Sequence, residues 1–199
     1  MSYKPSADEV KRLREATGAG MIDCRNALVH VEGDFERAKT HLLEQGQAKA
    51  EKKAERAAHE GIVGSYIHAG GKIGVLVEIN CETDFVARNE KFQTLVRDVA
   101  MHVAAMSPRY LDRGSVPPDV VDDVKKTLAE QVPAGKPPHI VENIIAGKLN
   151  KWYEDHTLAD QHFVKDDSMT VAELVAGVSA VLGERIAVRR FVKFALGEG

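Results

Sequence analysis

The sequence contains little cysteine, and the placement of its two cysteines limits their chemistry. Only Cys24 and Cys81 occur among 199 residues. They form no CxxC pair and share no zinc-ligand spacing with a histidine, so no structural zinc site is predicted. We expect two buried or half-buried free thiols in a reducing compartment.

Long apolar runs and a strong charge of one sign are also missing. No stretch approaches the roughly 18 apolar residues of a membrane span, and residues 1–6 lack the apolar run of a signal peptide. We therefore expect a cytoplasmic protein that does not bind a membrane. The formal net charge of -3 disfavours direct binding to nucleic acid. With 44% hydrophobic and 29% charged residues, the composition is typical of a folded globular protein.

The motifs of the common catalytic and cofactor sites do not occur. There is no GxGxxG after a strand, no GxxxxGK[ST], no HExxH and no GxSxG. The eight histidines are scattered, and none pairs with another at helical spacing. We predict no catalytic residue, no metal ligand and no cofactor. Since active sites need no sequence adjacency, an enzyme with a site around His68 or His102 is one alternative.

The first quarter of the chain is predicted to form a module of three helices. Ser6 and Glu9 have the spacing of a capping box, which begins the first helix. Glycines and Asp34 separate it from two further segments whose apolar residues recur with helical spacing. We assign residues 1–50 to this module and residues 51–60, rich in alanine and charge, to an exposed helical linker.

The remainder, residues 61–199, is predicted to be an α+β domain. Residues 61–81 contain two strand-like runs around a turn with two glycines, which suits a hairpin. Residues 186–194 form a further strand-like run. Helices are predicted over residues 90–106, 119–131, 138–156 and 170–182. Strands at both ends with helices between them favour an antiparallel sheet with helices packed on one side.

Two connecting segments are hard to explain by packing alone, and the first is the glycine-containing segment Thr17–Ile22. Its two glycines permit a tight turn that lifts Met21 and Ile22. Either these two side chains enter the core or they form an apolar contact patch. The pattern by itself favours neither interpretation.

The second segment, residues 78–88, connects a strand to the helix that follows. Thr83 and Asp84 can cap a short turn, which places the aromatic Phe85 beside an acidic residue. Phe85 can pack under the turn, as aromatic residues of loops usually do. Alternatively it can protrude, because interface hot spots favour aromatic side chains in desolvated pockets.

Both segments resemble signatures of a known family. LREATGAGMIDCRNAL, residues 13–28, and EINCETDFVAR, residues 78–88, are similar to two signatures of bacterial elongation factor Ts. The resemblance continues through GSYIHAGGKIGVLVE, QHFVKDD and VRRFVKFALGEG, so it covers almost the whole chain. It implies a guanine-nucleotide exchange factor for elongation factor Tu, the GTPase that brings aminoacyl-tRNA to the ribosome. It also implies that the N-terminal module resembles ubiquitin-associated (UBA) domains.

In the N-terminal module, the resemblance implies contacts with the GTPase domain of Tu. The matching positions are Arg14, Met21, Ile22 and Arg25. Arg25 stands where the family usually has lysine, which keeps the charge but changes the hydrogen-bonding geometry.

In the second segment, the resemblance implies the exchange mechanism itself. Phe85 is expected to intrude near the magnesium site of Tu, with Thr83, Asp84 and Val86 in the same segment. This wedge would shift the elements that hold Mg²⁺ and the phosphates. His68 and Val164 match positions expected to contact a second region of Tu.

Chain length and one substitution add further expectations. Long members of the family have two related core subdomains, whereas this chain resembles one half of such a core. Since an isolated half leaves one sheet face bare, we expect a homodimer that binds two Tu molecules. His162 stands where the family usually has proline. This difference affects the shape of the chain around Val164, in the part that we call the tip and that includes the two positions, His68 and Val164, expected to contact the second region of Tu. A UBA-type adaptor, in which only residues 1–50 bind a partner, is the second alternative.

Overall fold

The computed structural model describes residues 3–53, 55–133 and 135–198, without the side chains of residues 47–53. Eight α-helices, one short 3-10 helix at Arg113–Ser115 and five strands occur in these ranges. The helices are α1 Ala7–Thr17, α2 Met21–His30, α3 Phe35–Lys53, α4 Asp84–Ala87, α5 Glu90–Met106, α6 Pro118–Glu130, α7 Pro138–His156 and α8 Val171–Leu182. The strands are β1 Glu60–Ile67, β2 Ile73–Cys81, β3 His162–Phe163, β4 Asp166–Thr170 and β5 Ala187–Ala195. This mixture of helices and antiparallel sheet confirms the predicted fold class.

Helices α1 to α3 follow from the local signals in the sequence. The hydroxyl of Ser6 accepts a hydrogen bond from the backbone of Glu9, whose carboxylate accepts one from the backbone of Ser6, completing the predicted capping box. The carboxylate of Asp34 accepts a hydrogen bond from the backbone N–H of Arg37 and so caps α3. The core of this module is apolar and consists of Val10, Leu13, Cys24, Ala27, Leu28, Val31 and Ala38. The likeness of this module to UBA domains stays a prediction.

Strands β1, β2 and β5 form one sheet in the order β1-β2-β5. Alternate side chains of β2 are buried, from Val75 to Cys81, whereas Leu76 on the opposite face is exposed. Gly61 of β1 has φ +144°, and a Cβ atom there would lie 2.2 Å from the carbonyl oxygen of Ile79. This close approach of two backbones requires glycine at position 61.

The helix and strand predictions hold for most elements. The helix predicted over residues 90–106 is α5, whose buried side chains are Phe92, Leu95, Val96, Val99, Ala100, His102, Val103 and Ala104. Met101, in the same helix, is only half-buried. Helices α6 and α7 pack against each other and contain no fully buried residue.

Two details differ from the predictions. Helix α3 continues to Lys53, because the alanine-rich sequence extends it into the predicted linker, whereas residues 55–59 are irregular. Ala54 and the side chains of residues 51–53 lie outside the described part of that linker. A small antiparallel pair, β3 and β4, was not predicted, since β3 has only two residues and carries no periodic signal.

The described residues form two compact units. One unit comprises the chain up to Val63 together with Glu78–Val96 and Glu173–Val188. The other comprises Gly64–Val77, Arg97–Ala172 and the chain from Arg189 onward. The predicted domain boundaries near residues 50 and 60 stay a prediction.

Candidate partner-binding surfaces

Among the large apolar side chains described in the first unit, the most exposed is Phe85, in the short helix α4. The hydroxyl of Thr83 caps this helix by accepting a hydrogen bond from the N–H of Val86 at 3.4 Å. Ala87 is buried and anchors the turn, whereas Phe85 is 80% exposed. Phe85 therefore does not pack under the turn as a hydrophobic staple.

Asp84 stands beside Phe85 with a weak local partner. Its carboxylate accepts a hydrogen bond from the Arg88 guanidinium at 2.7 Å, one helical turn further along. An exposed pair at this spacing contributes only about 0.3–0.5 kcal/mol. The Asp84 carboxylate can therefore exchange this partner for another cation at small cost.

The backbone before α4 is held by a carboxylate from a distant part of the chain. Oε2 of Glu184 accepts hydrogen bonds from the N–H groups of Glu82 and Thr83, at 3.1 and 3.0 Å. Oε1 of Glu184 accepts the hydroxyl hydrogen of Thr83, with an O···O distance of 2.6 Å. Sequence reasoning missed Glu184, because 101 residues separate it from Thr83 and no local pattern marks the contact.

Cys81 adds a buried contact to the same segment. Its thiol donates to the carbonyl oxygen of Thr83 at 3.1 Å. Burial, and then the negative charge of Glu184, raise the pKa of Cys81 to about 11. Burial also raises the pKa of Cys24. Both thiols are free, buried and protonated at neutral pH, so the prediction of buried free thiols is confirmed.

A second exposed apolar surface lies at the start of α2, also in the first unit. Gly18 ends α1 in the left-handed conformation with φ +70°, and Gly20 precedes α2. Met21 is 45% and Ile22 75% exposed. The glycines therefore act as predicted, but Met21 and Ile22 do not enter the core.

The two predicted arginines lie near this apolar surface in the chain. Arg14 belongs to the last turn of α1 and Arg25 to the middle of α2, and both side chains are exposed. We refer to these four exposed residues, Arg14, Met21, Ile22 and Arg25, as the α1–α2 surface. It combines exposed apolar and cationic groups, and methionine and arginine are both enriched in protein–protein interfaces.

The two predicted tip residues both belong to the second unit. The imidazole of exposed His68 forms a 3.1 Å hydrogen bond with the hydroxyl of Tyr66. Val164 is 44% exposed and follows strand β3. Nδ1 of His162 donates a hydrogen bond to the carbonyl oxygen of Asp167 at 2.8 Å, which a proline side chain at this position could not do.

His102 supports the backbone of this tip from within the core. Its Nδ1 accepts the N–H of Val164 at 3.2 Å, so Nε2 carries the proton and donates to Oε1 of Gln161 at 3.0 Å. Burial lowers the pKa of His102, which keeps the ring neutral. With both nitrogens engaged and no exposed surface, His102 is unsuited to serve as a general base.

Some features of other protein classes are missing from the described ranges. Within residues 3–53, 55–133 and 135–198, no three or more His, Cys, Asp or Glu side chains are placed to hold a metal ion. In the same ranges no helix is long and apolar enough to cross a membrane.

Comparison with known proteins identifies the family. The family model described as elongation factor TS matches residues 26–198. The chain is 54% identical over 195 residues to Elongation factor Ts of Geobacter metallireducens, covering 98% of this chain and 90% of that protein. It is 48% identical over 195 residues to Elongation factor Ts of Caldanaerobacter subterraneus subsp. tengcongensis, covering 98% of each chain. It is 50% identical over 194 residues to that of Fervidobacterium nodosum, covering 97% of this chain and 98% of the relative.

These matches extend over both signature segments and nearly the full length of the relatives. They confirm the resemblance on which the sequence analysis relied. The chain therefore belongs to the elongation factor Ts family, whose members are translation elongation factors.

Proposed function

We propose that this chain is the guanine-nucleotide exchange factor for elongation factor Tu and acts in the cytoplasm during translation elongation. Family membership supports this role. The observation that carries the mechanism is Phe85, a large aromatic side chain 80% exposed on a capped and anchored turn. A side chain that gains little free energy from folding can gain it from burial against a partner.

The proposed mechanism is mechanical and requires no covalent step, so the chain is not an enzyme. Phe85 enters the GTPase domain of Tu near its magnesium site, with Thr83, Asp84 and Val86 in the same wedge. The wedge displaces elements that hold Mg²⁺ and the phosphates, and GDP dissociates. The coupling is reciprocal. If this chain weakens the binding of GDP to Tu a given number of times, GDP weakens the binding of this chain to Tu equally.

The free energies indicate that the wedge needs other contacts. Weakening GDP binding by about a thousandfold requires ~4 kcal/mol, whereas one well-placed anchor supplies about 2–4 kcal/mol. The α1–α2 surface, through Arg14, Met21, Ile22 and Arg25, supplies a contact with the GTPase domain. His68 and Val164 supply a contact with a second region of Tu.

We also propose that two copies of the chain pair through the exposed face of the sheet. Within the described part of the second unit, five apolar side chains on the strands of this sheet or just beyond them are exposed: Ile67, Leu76, Val192, Phe194 and Leu196. Monomeric proteins rarely leave a large contiguous apolar patch in water, and a second copy supplies a matching apolar face. The resulting homodimer binds two Tu molecules and contacts no nucleic acid directly.

The proposed exchange function is tested by Phe85→Ala. We expect stopped-flow release of labelled GDP from Tu to be accelerated by the native chain and at least about tenfold less by the variant, since one anchor contributes ~2 kcal/mol or more. Thermal unfolding should be unchanged, because the side chain is exposed. Met106→Ala removes another exposed apolar side chain and serves as the control.

Two outcomes would contradict the proposal. If the native chain leaves GDP release at its spontaneous rate, the exchange function is wrong. If Phe85→Ala accelerates release as well as the native chain does, the function stands but the wedge is another residue.

A further inference from the structure

Glu184 occupies a position from which it controls the backbone that leads into α4. Its carboxylate accepts hydrogen bonds from the backbone N–H groups of Glu82 and Thr83 and from the hydroxyl of Thr83. Hydrogen bonds to an ionised acceptor are shorter and stronger than those between neutral groups. Three such bonds to one carboxylate fix the position of the Glu82–Thr83 backbone relative to Glu184.

The position of Glu184 is itself fixed by the core. Helix α8 ends at Leu182 and is followed by Gly183, which has φ +79°. The buried hydroxyl of Ser179 donates to the carbonyl oxygen of Glu184 at 2.5 Å. The carboxylate is therefore presented from a rigid turn between α8 and β5.

A second carboxylate makes the contact reciprocal. Oε1 of Glu82 accepts the backbone N–H of Arg185 at 2.6 Å and a hydrogen from the Arg56 guanidinium at 3.4 Å. Each segment therefore places an acidic side chain on the backbone of the other. These reciprocal hydrogen bonds fix the direction of the backbone between β2 and α4.

The hydroxyl of Thr83 transmits this restraint to α4. Its hydrogen is directed to Glu184, at 2.6 Å, which leaves its lone pairs for the N–H of Val86 at 3.4 Å. Without Glu184 the hydroxyl is free to rotate, and the cap weakens. A four-residue helix has almost no stability of its own, so it depends on its cap and on its tertiary contacts.

We propose that Glu184 is a positioning residue for Phe85: by orienting Thr83 it holds α4 in the geometry that presents the wedge to the GTPase. This inference rests on the proposed exchange function and deepens it. The turn between α8 and β5 then holds α4 rigid before the chain binds Tu. Pre-organised side chains bind with a smaller loss of conformational freedom.

The test measures labelled-GDP release from Tu as a function of factor concentration. Glu184→Ala should lower the maximal rate about tenfold, which corresponds to ~1.4 kcal/mol and to one charge-assisted hydrogen bond. The half-saturating concentration should change less than about threefold, because the α1–α2 surface still docks. Glu142→Ala, in an exposed position of α7, is the matched control and should leave both values unchanged.

Two further variants separate positioning from general stability. Thr83→Ala should lower the maximal rate, and Thr83→Ala combined with Glu184→Ala should lower it by less than the product of the two single losses, since the two residues share the hydroxyl contact. If the combined loss equals the product of the single losses, Glu184 does not act through Thr83 and the inference is wrong.

The remaining outcomes are also decisive. A folded Glu184→Ala variant with the native maximal rate overturns the inference while leaving the exchange function intact. If Glu184→Ala fails to fold, Glu184→Gln decides, because the amide keeps the shape but loses one acceptor. A lower maximal rate at unchanged half-saturation then supports positioning, and a native rate or an unfolded Gln variant refutes it.

Discussion

One substitution, Ile22→Ala, separates the contribution of this side chain to binding Tu from its contribution to folding. The side chain is 75% exposed, so only about a quarter of it is buried in the folded chain. Complete burial of an isoleucine side chain stabilises by about 1.5–3 kcal/mol. The substitution should therefore cost less than ~1 kcal/mol of folding free energy, whereas burial of the exposed remainder against Tu is worth about 1–2 kcal/mol.

That difference predicts a specific kinetic result. A loss of about 1–2 kcal/mol weakens binding roughly 5- to 30-fold, so the half-saturating concentration in GDP release should rise by that factor. The maximal rate should change little, because Phe85 still reaches its site once the complex has formed. Ile22→Val removes a single carbon and should raise the half-saturating concentration only about threefold or less.

The assay therefore yields two numbers for each variant, accompanied by a thermal unfolding curve. Met106→Ala controls for the loss of an exposed apolar side chain elsewhere. An unchanged half-saturating concentration in a folded Ile22→Ala variant would refute docking through the α1–α2 surface. A large fall in the unfolding temperature would show that Ile22 contributes to the core.

Three further predictions concern assembly and stability. Phe194→Asp places a charge on the exposed sheet face, where the native side chain is 68% exposed, and should convert the homodimer to monomer in analytical ultracentrifugation; a native monomer would contradict pairing. Gly61→Ala should lower the free energy of unfolding by at least ~2 kcal/mol, because residue 61 has φ +144° and its Cβ would lie 2.2 Å from the carbonyl oxygen of Ile79. A variant with the native free energy of unfolding in denaturant titration would refute this close approach. Burial lowers the pKa of His102, so the folded chain binds fewer protons there than the unfolded chain, and stability should fall as pH drops below about 6.5; an equally steep fall in a folded His102→Gln variant would contradict this origin.

The helices and the main strands were predictable because their signals are local. The capping box at Ser6, the cap at Asp34 and the period-two burial of β2 each depend on residues within a few positions of one another. The hairpin around Gly70 is recognisable for the same reason. Two-residue strand β3 carries too few residues to show a period, so the small β3–β4 pair was not predicted.

For the candidate surfaces, the sequence identified the segments but not the state of their side chains. Pattern alone left Phe85 between packing under its turn and protruding from it. Only the fold shows that it is exposed, because Ala87 rather than Phe85 fills the space beneath α4. In the same way, only the fold shows that Ile22 lies outside the core of the N-terminal module.

By itself, the sequence determined the family, the kinds of elements and the places where each helix begins, since these depend on side chains close together along the chain. The tertiary structure alone decided that Glu184 lies on the backbone of Thr83 and that His102 holds the N–H of Val164. The physical reason is distance along the chain. Such contacts join groups that 101 and 62 residues separate, and their hydrogen bonds exist only after the intervening chain has folded.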